Sequence, residues 1–232
     1  MPRRAVPLVP GQYYHIFNRG VNREAIFFER ENYLFFLRRL RRHIVPVADV
    51  VSYCLMPNHF HLLVIVSLET GETSDVGRTS SHENFGILGG VGKEGQTSEI
   101  SENLGGLGGG GLSNAMMKLS VSYTKAINKR YQRVGALFQG AFQSRHITEN
   151  EDLLNLSRYI HMNPVLARLT DTPAGWEFSS YLDYCGDRHG SLPQPDVILN
   201  QFSSRQAYTD FCMAVQAERD DRLSELLIDA ED

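Results

Sequence analysis

Pro57-Asn58-His59-Phe60-His61-Leu62-Leu63 opens a run, His59 to Val66, that apart from its two histidines contains only Phe, Leu, Val and Ile. Such a run reads as a buried strand, and on a strand side chains two apart project to the same face. His59 and His61 therefore present two imidazoles side by side at one end of a central strand, where unpaired imidazoles would be unfavourable. Two readings are open: a ligand pair for a divalent cation, or two core histidines hydrogen-bonded to backbone. As ligands, two histidines leave coordination positions vacant, which a catalytic cation needs if it is to polarise a phosphate oxygen.

Ala48 to Leu55 is a second β-rich run, joined to the histidine strand through Met56-Pro57-Asn58, which reads as a tight hairpin connection. Gln12 to Asn18 reads as an earlier strand, and Asn32 to Ile44 as a helix with Tyr33, Phe36, Leu37, Leu40 and Ile44 at helical spacing. Farther on, Asn114 to Tyr131 reads as helical, Phe142 to Ile147 as extended and Thr148 to Met162 as helical. Thr148 with Glu151 fits a capping box, and Pro164 falls beyond the expected helix end. These parts predict an α+β fold with two helices over one face of an antiparallel sheet.

A catalytic cation calls for a nucleophile, and two tyrosines compete. Tyr159 lies about a third of a turn off the stripe of Leu153, Leu156 and Ile160, on the side of Asp152, Asn155 and Asn163. It reads either as a boundary tyrosine with a wet hydroxyl or as the attacking group. Tyr123 lies in register with Met116, Leu119 and Ile127 and reads as a packing residue. The same helix carries Lys118, Lys125 and Lys129, with Arg130 and Arg133 following. That ridge is either a phosphate-tracking surface or a solvated charged face.

The net charge of −4 argues against a nucleic-acid partner only until its distribution is considered. Glu69 to Leu112 and Arg205 to Asp232 each carry −5, which leaves +6 on the remaining 160 residues, as phosphate binding requires. Thirteen of the twenty glycines lie between Gly71 and Gly111, mixed with Ser, Thr and Glu. That composition predicts a disordered insertion rather than a Walker-type phosphate loop, since no GK[ST] follows. The expected organisation is therefore one domain in two parts, residues 1–68 and 114–186, interrupted by 69–113. Residues 187–232 form a partly helical acidic extension, expected to shield the basic surface. Cys54, Cys185 and Cys212 form no CxxC pair and read as buried thiols. With no run of about 18 apolar residues and no signal-like start, the expectation is a cytoplasmic chain without membrane contact.

With these residues assembled, the chain resembles the REP-associated tyrosine transposases, within the HUH single-tyrosine transposase superfamily. The resemblance spans roughly Gly11 to Tyr184 without the insertion. It rests on His15-Ile16-Phe17-Asn18-Arg19-Gly20, Met56-Pro57-Asn58-His59-Phe60-His61-Leu62, Gly135-Ala136-Leu137-Phe138-Gln139-Gly140, Tyr159-Ile160-His161-Met162-Asn163-Pro164-Val165 and Trp176-Glu177-Phe178-Ser179-Ser180-Tyr181. It implies a ferredoxin-like antiparallel sheet with helices packed on it and the HUH histidines on a central strand. It also implies magnesium or manganese on His59 and His61, with Asn163 as a third ligand, and Tyr159 as nucleophile of a single-strand DNA endonuclease and strand transferase. The implied substrate is single-stranded or hairpin DNA, and the implied assembly a monomer or homodimer. Arg19, Lys125, Arg130 and Arg145 are candidate phosphate contacts, and Phe138, with Phe17 and Phe142, a candidate base-stacking platform or core residue. Ala141 departs from the arginine of many relatives. A binding module without cleavage and a hydrolase that activates water remain the alternatives.

Overall fold

The computed structural model describes residues 8–68 and 109–214. Four strands, β1 (Tyr13–Arg19), β2 (Ala48–Met56), β3 (His59–Val66) and β4 (Gln143–Ile147), form one antiparallel sheet in the order β2-β3-β1-β4. Helix α1 (Arg30–His43) connects β1 to β2, and α2 (Gly109–Arg130) precedes β4. This is the ferredoxin-like arrangement, with β3 and β1 in the centre. The glycine-rich insertion through residue 108 lies outside the described residues, and the helix expected from Asn114 begins at Gly109.

Alternation along the strands sorts the side chains into two cores. Tyr14, Ile16, Phe60, Leu62 and Val64 meet Phe36, Leu40, Met116, Leu119 and Tyr123 of α1 and α2 on one face. On the other, Val51, Cys54, Met56 and Leu63 meet Leu153, Leu156 and Ile160 of α3 (Asn150–Leu166). A register shift between Val50 and Ser52 explains why Val50 and Tyr53 share one face while Val51 and Cys54 share the other. The two helices expected over one face are α1 and α2, but the second face is covered as well. β3 is consequently buried on both sides, and any polar side chain on it must find a protein partner.

Helix α3 departs from expectation at both ends. Its N-cap is Glu149, without a side-chain cap bond, so the Thr148–Glu151 capping box does not form. Pro164 lies inside the final turn instead of beyond it. Proline forfeits one backbone donor, and next to the helix end that loss is small against the burial of Pro164 itself.

The tail is structural as far as it is described. Trp176 Nε1 donates to the Leu55 carbonyl at 2.9 Å, Leu55 N to the Phe178 carbonyl at 3.0 Å, and Phe178 stacks on Tyr33 at 3.8 Å. Two short helices follow, α4 (Tyr181–Cys185) and α5 (Asp196–Leu199), and then α6 (Arg205–Met213). Tyr208 and Cys212 of α6 are fully buried in the α3 core. Leu192, Ile198, Tyr208 and Cys212 thus anchor residues 187–213 to the two cores, while much of that stretch is exposed; residues 215–232 lie outside the described part. Cys54 and Cys212 are buried thiols, whereas Cys185 is half-buried. Among the described residues no helix is long and apolar enough to cross a membrane.

A buried polar chain ties α6 to α3. The Tyr208 hydroxyl meets His161 Nδ1 at 2.7 Å and Ser157 Oγ at 2.9 Å, and His161 Nε2 meets Ser180 Oγ at 2.7 Å. Ser180 Oγ in turn accepts from Tyr53 N at 2.8 Å. Tyr208→Phe removes the shared hydroxyl, and unpaired buried polar groups of this kind cost about 1–3 kcal/mol each. Denaturant unfolding of Tyr208→Phe should therefore show a loss in that range; unchanged stability would mean that α6 does not belong to the core.

Candidate functional site

Strand register decides what shares a face with the histidines. Arg19 pairs with His59, Phe17 with His61 and His15 with Leu63; across the other edge of β1, Gln143 pairs with Phe17 and Arg145 with His15. Cross-strand partners project together, so His15, Arg19, His59, His61 and Arg145 all lie on the sheet face covered by α3.

Tyr159 and Asn163, four residues apart on α3, come down on the histidines together. Asn163 Oδ1 is 3.2 Å from His59 Nε2, and Asn163 Nδ2 is 3.3 Å from His61 Nε2. The two imidazoles stand at 85° with centroids 5.0 Å apart, and the Tyr159 ring is edge-on to His61 at 5.3 Å. His61 is 0% exposed, Asn163 3%, Tyr159 6% and His59 8%. Tyr159 is thus buried and not the wet boundary residue that the helical wheel suggested, because α3 is covered on more than one side.

Burial favours the uncharged imidazoles. His61 is held well below the ordinary histidine range, first by desolvation and then by His59 and His15. His15, fully buried, is lowered to about 3 by the same desolvation, with the neighbouring charge of Arg145 adding to it. Neutral imidazoles are the form that binds a cation.

The partners of the outer ring nitrogens indicate which nitrogen carries the proton. Asn58 Nδ2 donates to the Arg23 carbonyl at 3.2 Å, which turns Asn58 Oδ1 towards His59 Nδ1 at 2.6 Å. His59 therefore donates from Nδ1 and aims its Nε2 lone pair at Asn163 Oδ1, so that two acceptors face each other. Either a cation between them or a turn of the Asn163 carboxamide relieves that opposition. His61 Nδ1 lies 2.9 Å from His15 Nε2, so both inward Nε2 atoms have a supported Nδ1 behind them, as ligating imidazoles require. The residues thus fit a divalent cation held by His59, His61 and Asn163. Among the described residues no group of three or more His, Cys, Asp or Glu is disposed to hold a metal, so the donor set is two imidazoles and a carboxamide.

The remaining candidates divide between the faces. Half-buried Arg19 donates from Nε to Gln139 Oε1 at 2.6 Å and lines a surface pocket with Val21, Asn22, Arg23 and Gln139. That corner depends on Gly20, where a Cβ would fall 2.0 Å from the Glu24 carbonyl oxygen. Arg145 is exposed on edge strand β4. Lys125 and Arg130, by contrast, belong to α2 on the opposite face of the sheet, and Arg130 Nε is paired with Glu29 Oε1 at 2.5 Å. Neither is brought to the histidine corner. Phe138 is buried edge-on to Phe60 at 6.1 Å, and Phe17 and Phe142 are buried too, so none offers an open stacking face. Tyr123 donates its hydroxyl to the Ile26 carbonyl at 2.8 Å, and burial pushes its phenol far up, as befits a packing residue. Sequence reading assigned no role to His15 or Asn58. The only signals were a histidine at alternating spacing from Phe17 and Arg19, and an asparagine directly before His59.

The sequence matches no protein-family model and no curated protein. The fold does match. A solved structure described as a REP-associated tyrosine transposase bound to a REP hairpin superposes with a TM-score of 0.52 at 13% sequence identity, covering 88% of this chain and 96% of that one. At this identity the likeness is one of architecture: the chain folds as a REP-associated tyrosine transposase does.

Proposed function

We propose that this chain is a metal-dependent single-strand DNA endonuclease and strand transferase acting on hairpin-containing DNA. The observation that carries the reading is the convergence of His59 Nε2, His61 Nε2 and the Asn163 carboxamide beside the ring of Tyr159. The fold shared with a hairpin-bound transposase supplies the substrate class.

In this reading the Tyr159 oxygen attacks the scissile phosphorus, forming an O–P bond while the bond to the 3′ oxygen breaks. The products are a 5′-phosphotyrosine and a free 3′-hydroxyl; the phenolic proton is lost to solvent and the leaving oxygen gains one. One phosphodiester replaces another, so no nucleotide cofactor is consumed and the reverse attack rejoins the strand. A magnesium or manganese ion on His59, His61 and Asn163 would neutralise charge developing on the phosphate oxygens. A phenol of ordinary pKa near 10 is a weak nucleophile at neutral pH, so helix α3 contributes chiefly by holding Tyr159 in line. Arg19 and Arg145, on the same face, would hold flanking phosphates.

The burial of Tyr159 and His61 favours one competitor, a protein that binds hairpins without cutting them. Incubating the protein with labelled single-stranded hairpin DNA and Mn²⁺, then denaturing it, separates the two. The wild type and Tyr123→Phe should give a denaturation-resistant protein–DNA band, and Tyr159→Phe should give none. Binding without any band would favour the competitor, and cleavage without a band would indicate attack by water. In salt titrations of hairpin affinity, Arg19→Ala and Arg145→Ala should each weaken binding and reduce the slope of log K against log salt by about 1. Lys125→Ala should leave that slope unchanged; equal losses from both layers would reject the assignment of the binding face.

A further inference from the structure

We propose that His15 is a positioning residue for His61: it accepts the Nδ1 proton of His61 and so keeps the Nε2 lone pair of His61 turned into the corner shared with His59 and Asn163. The inference rests on the cation-site reading above.

The geometry is specific. His15 Nε2 lies 2.9 Å from His61 Nδ1, and the two rings stack with centroids 5.1 Å apart at 19°. Both side chains are fully buried, so water cannot replace either partner. The contact joins neighbouring strands of the sheet, since β1 pairs with β3, and Phe17 packs on both rings at 4.7 and 6.4 Å. His15 is thereby held on the side of His61 away from Asn163, and among the described residues its ring nitrogen is the one partner of Nδ1.

The chain His15–His61–Asn163 can run in two directions. In one, His61 donates from Nδ1 to His15 and its Nε2 accepts from Asn163 Nδ2, leaving a lone pair that a cation can use. In the other, His15 donates from Nε2 to His61, and His61 donates from Nε2 to a turned Asn163 carboxamide, which blocks that ligand position. Only an acceptor at His15 sustains the first direction; it places the proton of neutral His15 on Nδ1, which is buried and has no partner among the described residues, a cost that a cation on His61 Nε2 would offset. Without one, a proton on His61 Nδ1 would be buried with nowhere to go, and the second tautomer would prevail. Asn58 supports His59 in the same manner, donating to the Arg23 carbonyl and accepting from His59 Nδ1 at 2.6 Å. The two ligands would thus be oriented by different devices, a neutral imidazole for one and a carboxamide for the other. Partners of this kind are generally worth 10–100-fold in metal affinity.

The test uses the full chain with Mn²⁺ and Mg²⁺ as probes. Mn²⁺ affinity, measured by electron paramagnetic resonance of the free ion, should fall 10–100-fold in His15→Phe, which keeps a ring but has no acceptor. It should recover to within a few-fold of wild type in His15→Gln, whose side-chain oxygen reaches about as far as Nε2. Independently of any variant, ¹⁵N imidazole shifts of the Mg²⁺-loaded wild type should show His61 protonated at Nδ1. Mn²⁺ affinity in folded His15→Phe equal to wild type would overturn the inference and leave the cation site standing, whereas protonation of His61 at Nε2 in the loaded state would remove that ligand atom and overturn the inference together with the three-residue cation site. Absence of Mn²⁺ binding to the wild type would overturn the cation site and the inference together.

Discussion

The carboxamide of Asn163, reached by the inward nitrogens of both histidines, is the contact on which the rest of the arrangement depends. A strand buried on both faces gives its side chains no water to fall back on, so each imidazole of β3 must be matched from the helix layer or from the next strand. Asn163 does the first and His15 the second. Because neighbouring residues on a helix differ by about 100° and 1.5 Å, a one-residue slide of α3 would remove both bonds at once. Polar satisfaction therefore fixes where Tyr159 sits more tightly than apolar packing alone, which tolerates small shifts among Leu153, Leu156 and Ile160.

The same helix is held from a second side. Ser157 and His161 repeat the i, i+4 spacing of Tyr159 and Asn163, offset by two residues and hence about 200° around the helix. The first pair is bound by Tyr208 of α6 and by Ser180, the second meets the sheet. Helix α3 is thus clamped between two polar contacts facing roughly opposite ways. Alignment of the phenol is consequently a property of the tail as well as of the sheet, although the described part of the tail contributes no atom to the site.

This double burial explains both what could be read from the sequence and what could not. The strand pair Ala48 to Leu55 and His59 to Val66, and the facing of His59 with His61, follow from period-two alternation and emerge within a residue or two of the observed elements. Tyr159 was legible as a partner of Asn163 but not as a buried residue, because a wheel with one apolar stripe presupposes one covered face. Thr148 and Glu151 have cap-forming side chains without forming a cap, and Pro164 reads locally as a stop where the covered last turn tolerates it. Tyr208 and Cys212 lie in a segment whose net charge suggested solvent, yet two large or apolar side chains on one stripe of α6 outweighed that average. His15 and Asn58 act through neighbours distant in sequence or through a side-chain bond to backbone, and neither leaves a periodic signal.

Charge follows the same division between faces, which is why the whole-chain value of −4 says little about partners. Around α1 and α2, Arg130 is paired with Glu29, Arg133 with Glu24 and Arg30 with Glu177. Arg41 and Arg42 lie in the last turn of α1, where cations offset the helix dipole. On the α3 face, Arg19 is held by the neutral amide of Gln139, and among the described residues no carboxylate is recorded in an ion pair with it or with Arg145. An arginine already paired with glutamate must break a charge-assisted bond before it can accept a phosphate, whereas one resting on an amide exchanges a weaker bond for a stronger one. Although Arg19 and Arg145 are fewer than the helical cations, neither is tied to a carboxylate of the described residues. Their register with His59 and His15 directs that charge to the same face as the imidazoles and the phenol.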